Sequence, residues 1–171
     1  FLNNFKNKVK NEFLENSKKH KNDRLHYMET FREPYLKRRR KVGWDLYNIL
    51  GIKKGDYNKT HNFHSKNFDF FDAPIGLIFT IEKDLGWMSW LDYGMFIQNI
   101  CLAARIYNLH TCPQAAWGMM HKVVEKLLEI ENSSVVHCGM ALGYENLNSK
   151  INTLRTDREQ LDEFVTFNTK N

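Results

Sequence analysis

The sequence predicts an α+β fold in which helices outnumber strands. Two short runs are almost wholly apolar, Ile75 to Ile81 and Val135 to Leu142, as buried strands are. Several longer segments repeat apolar residues at three- and four-residue spacing, which indicates amphipathic helices. The helices and strands do not alternate regularly along the 171 residues, so α+β is the class that fits the order of elements.

The length and composition fit one domain spanning residues 1–171, with enough apolar and aromatic residues to close a single core. The net charge of +5 comes largely from lysines in the first 66 residues and from a compact basic run, Lys37 to Lys41. Such asymmetry can mark a surface that binds nucleic acid or a membrane, but a solvated helical face is the commoner cause. We therefore expect neither nucleic acid nor membrane as a partner.

The cysteines and the apolar stretches indicate where the protein works. Cys101, Cys112 and Cys138 form no C-x-x-C pair and stand among apolar neighbours, as small buried thiols in a reducing compartment do. No apolar stretch is long enough for a membrane span, and no signal peptide is visible. We expect a cytoplasmic protein. Because the first residue is Phe1 and a helical pattern starts at once, we also expect the natural N-terminus to be missing.

The first element is predicted to be an amphipathic helix, since Leu2, Phe5, Val9 and Phe13 recur at helical spacing. A second helical stretch runs from Arg24 to about Leu50 and is interrupted near Pro34, because proline disfavours helix in the residue before it. This helix is expected to stop at Gly51, and the residues Gly51, Gly55 and Asp56 form the loop after it.

A long helix is predicted after the first strand, capped by Ser89 with Asp92 three residues on, and running to about Tyr107. It is apolar on nearly every face, which implies burial all round. In a domain this small, that pattern suggests that a partner subunit covers one side. Asn108 can end the helix in the left-handed conformation.

The remaining elements follow in order. Thr111 to Ala116 is predicted to be an extended loop, and Met119 to Leu128 an amphipathic helix. The second strand then ends at Gly143-Tyr144. Finally, Thr156 to Glu159 has the pattern of a capping box, which predicts a short last helix before a phenylalanine-rich tail.

Taken together, several segments resemble the FMN-dependent nitroreductase family in their order and spacing. They are Phe70-Phe71-Asp72-Ala73-Pro74, Trp90-Leu91-Asp92-Tyr93-Gly94, the stretch from Leu109 to Ala116, Gly143-Tyr144, and the stretch from Arg155 to Glu159. The resemblance implies a mainly antiparallel central sheet flanked by helices, in a homodimer of intertwined chains with FMN at the subunit interface. It also implies that NAD(P)H reduces the flavin before a small-molecule acceptor takes the electrons.

The resemblance places one side of the flavin at Pro113, Gln114, Ala115 and Ala116, where a backbone amide can reach the flavin N5. A donor at N5 stabilises the electron density that builds up there on reduction, and small alanine side chains permit the close approach. The alternative is a plain connector between two helices.

Arg158 matches the arginine that binds the FMN phosphate in the family. It lies in the first turn of the predicted last helix, so free amides and a guanidinium are expected to meet at one anion site. Arg155 is the alternative for the same role, and a plain surface arginine is the alternative to both.

The region 24–66 resembles the family's variable lid over the substrate channel. Trp44 or Tyr47 could stack on an aromatic acceptor there, and Arg40 could attract the phosphates of the nicotinamide cofactor. A solvated or core helix is the alternative, and basic residues next to aromatic ones also occur in proteins that bind single-stranded nucleic acid.

Other polar constellations favour structural roles. His61 and His64 stand three residues apart but lack a third metal ligand, so no metal site is expected. His137 is predicted to be hydrogen-bonded in the core and His121 to face solvent. The methionines and tryptophans are ascribed to core and dimer interface, although Trp117 directly follows the proposed flavin loop.

The sequence departs from the family pattern in one respect, and this departure leads to a prediction. The family's N-terminal Arg-rich motif and its Asn/Gln-Pro-Trp segment have no counterpart here, which predicts that this chain alone binds FMN poorly. The leading hypothesis is an oxidoreductase that passes electrons from NAD(P)H through FMN to nitroaromatics, quinones or similar acceptors. Reductive dehalogenation or flavin breakdown on the same fold is one alternative, and a non-enzymatic polyanion binder is another. The acceptor and the choice between NADH and NADPH stay open.

Overall fold

The computed structural model describes residues 1–20 and 30–168. Its helices and strands confirm the α+β class. The helices are α1 (Leu2–Asn16), α2 (Tyr35–Ile49), α3 (Tyr57–Ser65), α4 (Trp87–Ile106), α5 (Ala116–Met119) and α6 (His121–Leu127). The strands are β1 (Ile75–Glu82), β2 (His110–Gln114) and β3 (Ser134–Gly143).

The chain divides into two compact units, which are described separately. Unit 1 comprises Phe1–Phe31 and Lys54–Asn146, and unit 2 comprises Arg32–Lys53 and Leu147–Asn171. The sheet and most of the helices belong to unit 1, whereas α2 and the C-terminal segment form unit 2. That residues 1–171 form one domain stays a prediction. The assignment of residues 24–66 to a lid also stays a prediction.

Unit 1 is built on an antiparallel three-stranded sheet in the order β1-β3-β2. Strand β3 lies in the middle and is buried along most of its length, as its apolar sequence predicts. Strand β1 lies at an edge, and only Phe79 and Ile81 of it are buried, so the prediction of a fully buried strand was wrong there. An edge strand has one neighbour and leaves part of its surface uncovered.

The core of unit 1 surrounds Trp117. Helix α1 contributes Phe5 and Val9, both buried, so the predicted amphipathic helix is confirmed. The rings of Phe68 and Phe70 pack against the indole, with centroid distances of 5.2 Å and 4.4 Å. Trp117 is therefore a core residue, despite its position next to the proposed flavin loop.

Two helical predictions in the first half are refined. Helix α2 begins at Tyr35, directly after Pro34, and ends at Ile49 before Gly51, whose φ is +66°. Residues 24–29 of the predicted second stretch lie outside the described residues. Helix α3 was not predicted; Asp56 caps it by accepting a hydrogen bond from the Lys59 amide at 3.2 Å.

A strained turn connects α3 to β1. The 3₁₀ segment Lys66–Asp72 contains three successive residues with positive φ, Phe70, Phe71 and Asp72. Such residues each cost on the order of 1–3 kcal/mol. The surrounding core holds this conformation, because the Phe70 ring lies over Gly76, where a Cβ would come within 2.2 Å of it.

Helix α4 corrects two predictions. It begins at Trp87 after Gly86, so Ser89 lies inside the helix and does not cap it with Asp92. The prediction that the helix is buried on every face was also wrong for the single chain. There, Ala104 alone among the residues of α4 is buried. The end of the helix agrees with prediction, since Asn108 adopts φ +57° just after it.

The segment predicted as one helix from Met119 to Leu128 forms two short helices, α5 and α6, which meet at Met120. His121 is buried rather than wet, which corrects its assignment. Its Nδ1 lies 3.3 Å from Oε1 of Glu125, and the same oxygen accepts a hydrogen bond from the Val136 amide at 3.1 Å. This contact explains how a polar residue is buried here.

In unit 2, the predicted capping box does not form. Residues 154–160 have no helical structure, and a single 3₁₀ turn follows at Leu161–Glu163 after Gln160. The hydroxyl of Thr156 accepts a hydrogen bond from the Arg158 side chain instead of from a helix amide. The hydroxyl oxygen of Thr156, which the sequence pattern predicted to cap a helix, is thus satisfied by a side chain.

Two further predictions concern cysteines and membranes. Cys138 is buried, but Cys112 is exposed on the edge strand β2, which corrects its assignment as a buried thiol. No helix within residues 1–20 and 30–168 is long and apolar enough to cross a membrane.

Candidate functional site

The candidate flavin site lies where β2 ends and α5 begins. The segment predicted as a loop from Thr111 is in fact the edge strand β2 as far as Gln114, with Pro113 opposite Met140 of β3. An edge strand tolerates Pro113, because the amide that proline lacks can be on the unpaired side. Pro113 is exposed, and Ala115 and Ala116 are half-buried.

The side chain of Gln114 points inward and fixes the strand end. It is 3% exposed. Its Nε2 donates to the backbone oxygen of Asn67 at 3.0 Å, and its Oε1 accepts from Nε1 of Trp117 at 3.3 Å. Since these contacts occupy the side-chain amide, a contribution of Gln114 to a ligand would come from its backbone.

The turn lies on a closely packed part of the core. Trp117 is 0% exposed and lies against Gly139 of β3. A Cβ on Gly139 would come within 2.3 Å of the indole Cδ1, so the missing side chain is what lets the ring approach the sheet. The turn therefore rests on a rigid support, as a site that must hold a ligand accurately requires.

The turn offers a backbone donor to a ligand. In the described part of the chain, the N–H of Ala115 has no hydrogen-bond acceptor. Its neighbours Pro113 and Ala116 have short side chains, so a flat ring system can approach the backbone. A fixed, available N–H beside small side chains is suited to an acceptor atom of a planar cofactor, and this donor set fits a flavin.

Unit 2 contains the predicted phosphate ligands, without the predicted helix. Arg158 Nη1 donates to Oγ1 of Thr156 at 2.6 Å and to two backbone oxygens. Arg155 Nη1 donates to the backbone oxygens of Asn152 and Leu154 at 2.7 Å and 2.9 Å. These acceptors are neutral, so both guanidiniums keep their charge for an anion, but helix amides do not assist them.

The predicted channel residues share one face of α2. Arg40, Trp44 and Tyr47 follow each other at spacings of four and three residues, which places them on adjacent turns. The rings of Trp44 and Tyr47 meet edge to face at 6.4 Å, and Trp44 is 43% exposed. An exposed aromatic beside a cation is a surface on which an aromatic acceptor could stack.

The structure gives two residues, Asn67 and Phe70, a role at the site that the sequence did not indicate. Both support the β2–α5 turn from the 3₁₀ segment between α3 and β1. Asn67 lies 47 positions before Gln114. No local pattern links positions so far apart, although the cluster of aromatic residues in 63–71 indicates a core segment.

Other polar groups of residues 1–20 and 30–168 have structural roles or form no cluster. Among the residues that the structure describes, no cluster of histidine, cysteine or carboxylate side chains could hold a metal ion. His61 stacks on Phe13 at 4.6 Å, which is a structural role. An open depression of about 470 Å³ lies beside α6, is lined largely by charged side chains, and contains none of the predicted site residues.

The fold is that of nitroreductases of known structure. A nitroreductase NfnB from Sphigopyxis sp. strain HMH, described as FMN and NADPH-dependent, aligns with 99% of this chain and 76% of its own, at a TM-score of 0.92 and 24% identity. NfnB from Mycobacterium smegmatis, solved in complex with NADPH, aligns with 96% of this chain and 74% of its own, at a TM-score of 0.86 and 20% identity.

Sequence similarity assigns the family. The model of the Nitroreductase family matches residues 6–144. This chain belongs to the Nitroreductase family. The resemblance stated from the sequence, and the antiparallel sheet flanked by helices that it implied, are thereby confirmed.

Two relatives are similar over most of this chain. A 4-nitrobenzoate reductase of Pseudomonas putida is 39% identical over 142 residues, which cover 83% of this chain and 63% of that protein. A chloronitrobenzene nitroreductase of Comamonas testosteroni is 37% identical, with the same coverage of both chains. This chain therefore spans less than two thirds of the length of these relatives.

Proposed function

We propose that this chain belongs to an FMN-dependent oxidoreductase that passes electrons from NAD(P)H to nitroaromatic, quinone or similar acceptors by a ping-pong mechanism. The observation that carries the proposal is the β2–α5 turn, where the N–H of Ala115 has no acceptor in the described part of the chain. The family and the names of the similar nitrobenzoate and chloronitrobenzene reductases support the reaction class. Dehalogenation and flavin breakdown stay alternatives, because the fold does not fix the reaction.

Bound FMN would supply the electron-transfer chemistry, accepting electrons from NAD(P)H and passing them to the acceptor. The protein's part is to bind and orient. Ala115 donates its N–H to the ring system from a backbone that Gln114 and Trp117 hold in place. Because this donor is positioned before the cofactor binds, its alignment costs little free energy during the reaction.

The other residues act on the two remaining ligand groups. Arg158, or Arg155 as the alternative, pairs with the FMN phosphate, where a guanidinium can form two parallel hydrogen bonds. On α2, Trp44 and Tyr47 offer rings on which an aromatic acceptor stacks, and Arg40 attracts the phosphates of NAD(P)H. Arg40 and Trp44 are exposed and Tyr47 is half-buried, which leaves these side chains accessible for such roles.

We further propose a homodimer in which a second copy covers α4. The helix exposes a large apolar surface, which monomeric proteins rarely leave to water. The exposed apolar side chains of α4 are Trp87, Met88, Leu91, Met95, Phe96, Leu102 and Ile106. A cytoplasmic location also belongs to this proposal, since free cysteines are typical of a reducing compartment.

Light scattering on the purified protein tests the dimer. We expect twice the mass of one chain, and we expect Met95→Lys to shift the population towards monomer because it places a charge in an apolar interface. Lys126→Glu, on the exposed side of α6, is the matched charge-changing control. A monomer at micromolar concentration in the unmutated protein would remove the dimer from the proposal.

Substituting Ala115 tests the cofactor site. Ala115 has φ −64°, which proline adopts without strain, so Ala115→Pro deletes the N–H and leaves the backbone path unchanged. We expect at least a tenfold loss of FMN affinity, measured by flavin fluorescence, whereas Ala115→Ser keeps the N–H and close to the original affinity. Circular dichroism and the unfolding midpoint check that both variants fold.

Activity tests the reaction. We expect NAD(P)H oxidation that depends on added FMN and on an acceptor such as 4-nitrobenzoate or a quinone, with parallel lines in double-reciprocal plots. Full-length protein that remains colourless with excess FMN and oxidises NAD(P)H with none of these acceptors would refute the proposed function.

A further inference from the structure

The C-terminal segment of unit 2 is tied to α2 by two ion pairs on either side of Arg158. The guanidinium of Arg38 pairs with the carboxylate of Glu159. The ammonium of Lys41 lies 3.2 Å from Oδ2 of Asp157 and 2.7 Å from Oδ2 of Asp45. Arg38 and Lys41 are three residues apart on α2, so both cations lie on one face of the helix.

The two anchors fix the orientation of the residue between them. Asp157 and Glu159 are two positions apart in a non-helical stretch and both contact α2. Because the residues on both sides of Arg158 pair with cations of α2, the backbone that carries Arg158 is held at two points. Its guanidinium lies along its own segment, on the hydroxyl and backbone oxygen of Thr156.

The same pairs change the charge around Arg158. Two carboxylates next to an arginine would repel a phosphate and compete for the guanidinium. With Asp157 and Glu159 engaged by cations of α2, neither carboxylate pairs with Arg158 within the part of the chain that the structure describes. The guanidinium is thereby left with neutral partners, which a phosphate can displace.

We propose that Arg38 and Lys41 are positioning residues, which hold Glu159 and Asp157 against α2 so that Arg158 is presented, with its charge uncompensated, to the phosphate of the flavin cofactor. The inference rests on the proposed function for the identity of the anion. It assigns the basic run of α2 a role inside its own unit, in addition to the attraction of NAD(P)H ascribed to Arg40.

Both pairs are exposed, so each contributes modestly and is screened by salt. The expected effects are therefore graded. Loss of one pair is expected to weaken FMN binding about three- to fivefold at low ionic strength, at the upper end of the range for exposed charge pairs. The difference from the unmutated protein is expected to shrink as salt is added.

The test compares Arg38→Glu with the charge-swapped double variant Arg38→Glu/Glu159→Arg. Lys37→Glu is the matched control, because Lys37 is exposed on the same helix and forms no ion pair with a described residue. Binding is measured by fluorescence for FMN and for riboflavin, which has the same ring system but no phosphate. Hydrogen exchange of residues 150–160 is measured in flavin-free protein.

We expect Arg38→Glu to weaken FMN binding but not riboflavin binding, and to speed hydrogen exchange of the segment. The charge swap is expected to restore both properties to within twofold, and Lys37→Glu to change neither. Equal losses for FMN and riboflavin, or no rescue by the swap, would overturn the inference.

Hydrogen exchange separates this inference from the proposed function. If the unmutated full-length protein binds neither flavin, the proposed function fails, and the exchange rates alone decide whether α2 holds the segment. If FMN binds and Arg38→Glu changes neither affinity nor exchange, the positioning role fails while the proposed function stands.

Discussion

The indole Nε1 of Trp117 donates a hydrogen bond to Oε1 of Gln114 at 3.3 Å, and this contact joins the centre of the core to the end of strand β2. The candidate flavin turn follows Gln114 directly. The geometry of this turn is consequently set by buried packing. Substitutions that disturb the core are therefore expected to change the geometry of the site as well.

Trp117→Phe removes the N–H and part of the buried ring, so its cost combines the lost hydrogen bond with a small cavity. The buried Oε1 of Gln114 then loses its partner, which is expected to cost about 1–3 kcal/mol in the free energy of unfolding. Urea denaturation measures the change. Trp44→Phe makes the same substitution at an exposed ring and is expected to cost less than half as much; equal costs at both positions would contradict the role of the contact.

Gly139→Ala tests the close approach of the indole to the sheet. The added methyl group would lie 2.3 Å from Cδ1 of Trp117, so the ring must move. We expect a loss of about 1–3 kcal/mol in unfolding free energy and a measurable loss of FMN affinity. Gly43→Ala, in helix α2 with no atom within 4 Å of the new Cβ, is expected to be neutral or stabilising. A neutral Gly139→Ala would show that the ring relaxes freely.

His64 is expected to make stability depend on pH. His64 is exposed at the surface, but partial desolvation penalises its charged form and His61 repels it, so the pKa of His64 is lowered from its ordinary value. The unfolded chain then binds more protons than the folded one as the pH falls below about 6.5, so stability decreases from pH 7.5 to pH 5.5. In His64→Gln this decrease should be smaller, as measured by urea unfolding at both pH values. The neutral change Asn58→Gln on the same helix should leave the decrease intact, and an unaltered decrease in His64→Gln would rule the histidine out.

Thiol reactivity should distinguish the cysteines. Burial, with a contribution from Cys101, raises the pKa of Cys138 to about 11. At pH 8 about one Cys138 in a thousand is then a thiolate, the form that reacts. Desolvation raises the pKa of Cys112 too, but its side chain is exposed, so with iodoacetamide and mass spectrometry we expect Cys112 to be alkylated well before Cys138. In denaturant the two rates should become similar; equal rates in native protein would contradict the burial of Cys138.

The sequence predicted those elements whose cause is local. Helix α1 and strand β3 follow from their apolar patterns, and Asn108 ends α4 because it accepts the left-handed conformation. Predictions failed where a capping residue had more than one possible partner. Thr156 bonds to the side chain of Arg158, and Ser89 lies inside a helix that begins earlier at Trp87.

The candidate site was predictable in part, for the same reason. The Pro113–Ala116 motif identified the turn by resemblance, but its support by Asn67 depends on a contact across 47 positions. The strand character of the turn was also hidden, because Pro113 disfavours a strand unless the strand lies at an edge. Edge position is a property of the whole sheet, which no local pattern encodes.

The order of strands also constrains how the chain is made. Within the described residues, β1 and β2 each pair with β3 and not with each other. During synthesis, neither can form its ladder until residues 134–143 have left the ribosome, although β1 emerges some fifty residues sooner. The apolar β1 therefore stays unpaired until β3 has been synthesised. A nascent chain that stalls before β3 is expected to need a chaperone to prevent aggregation.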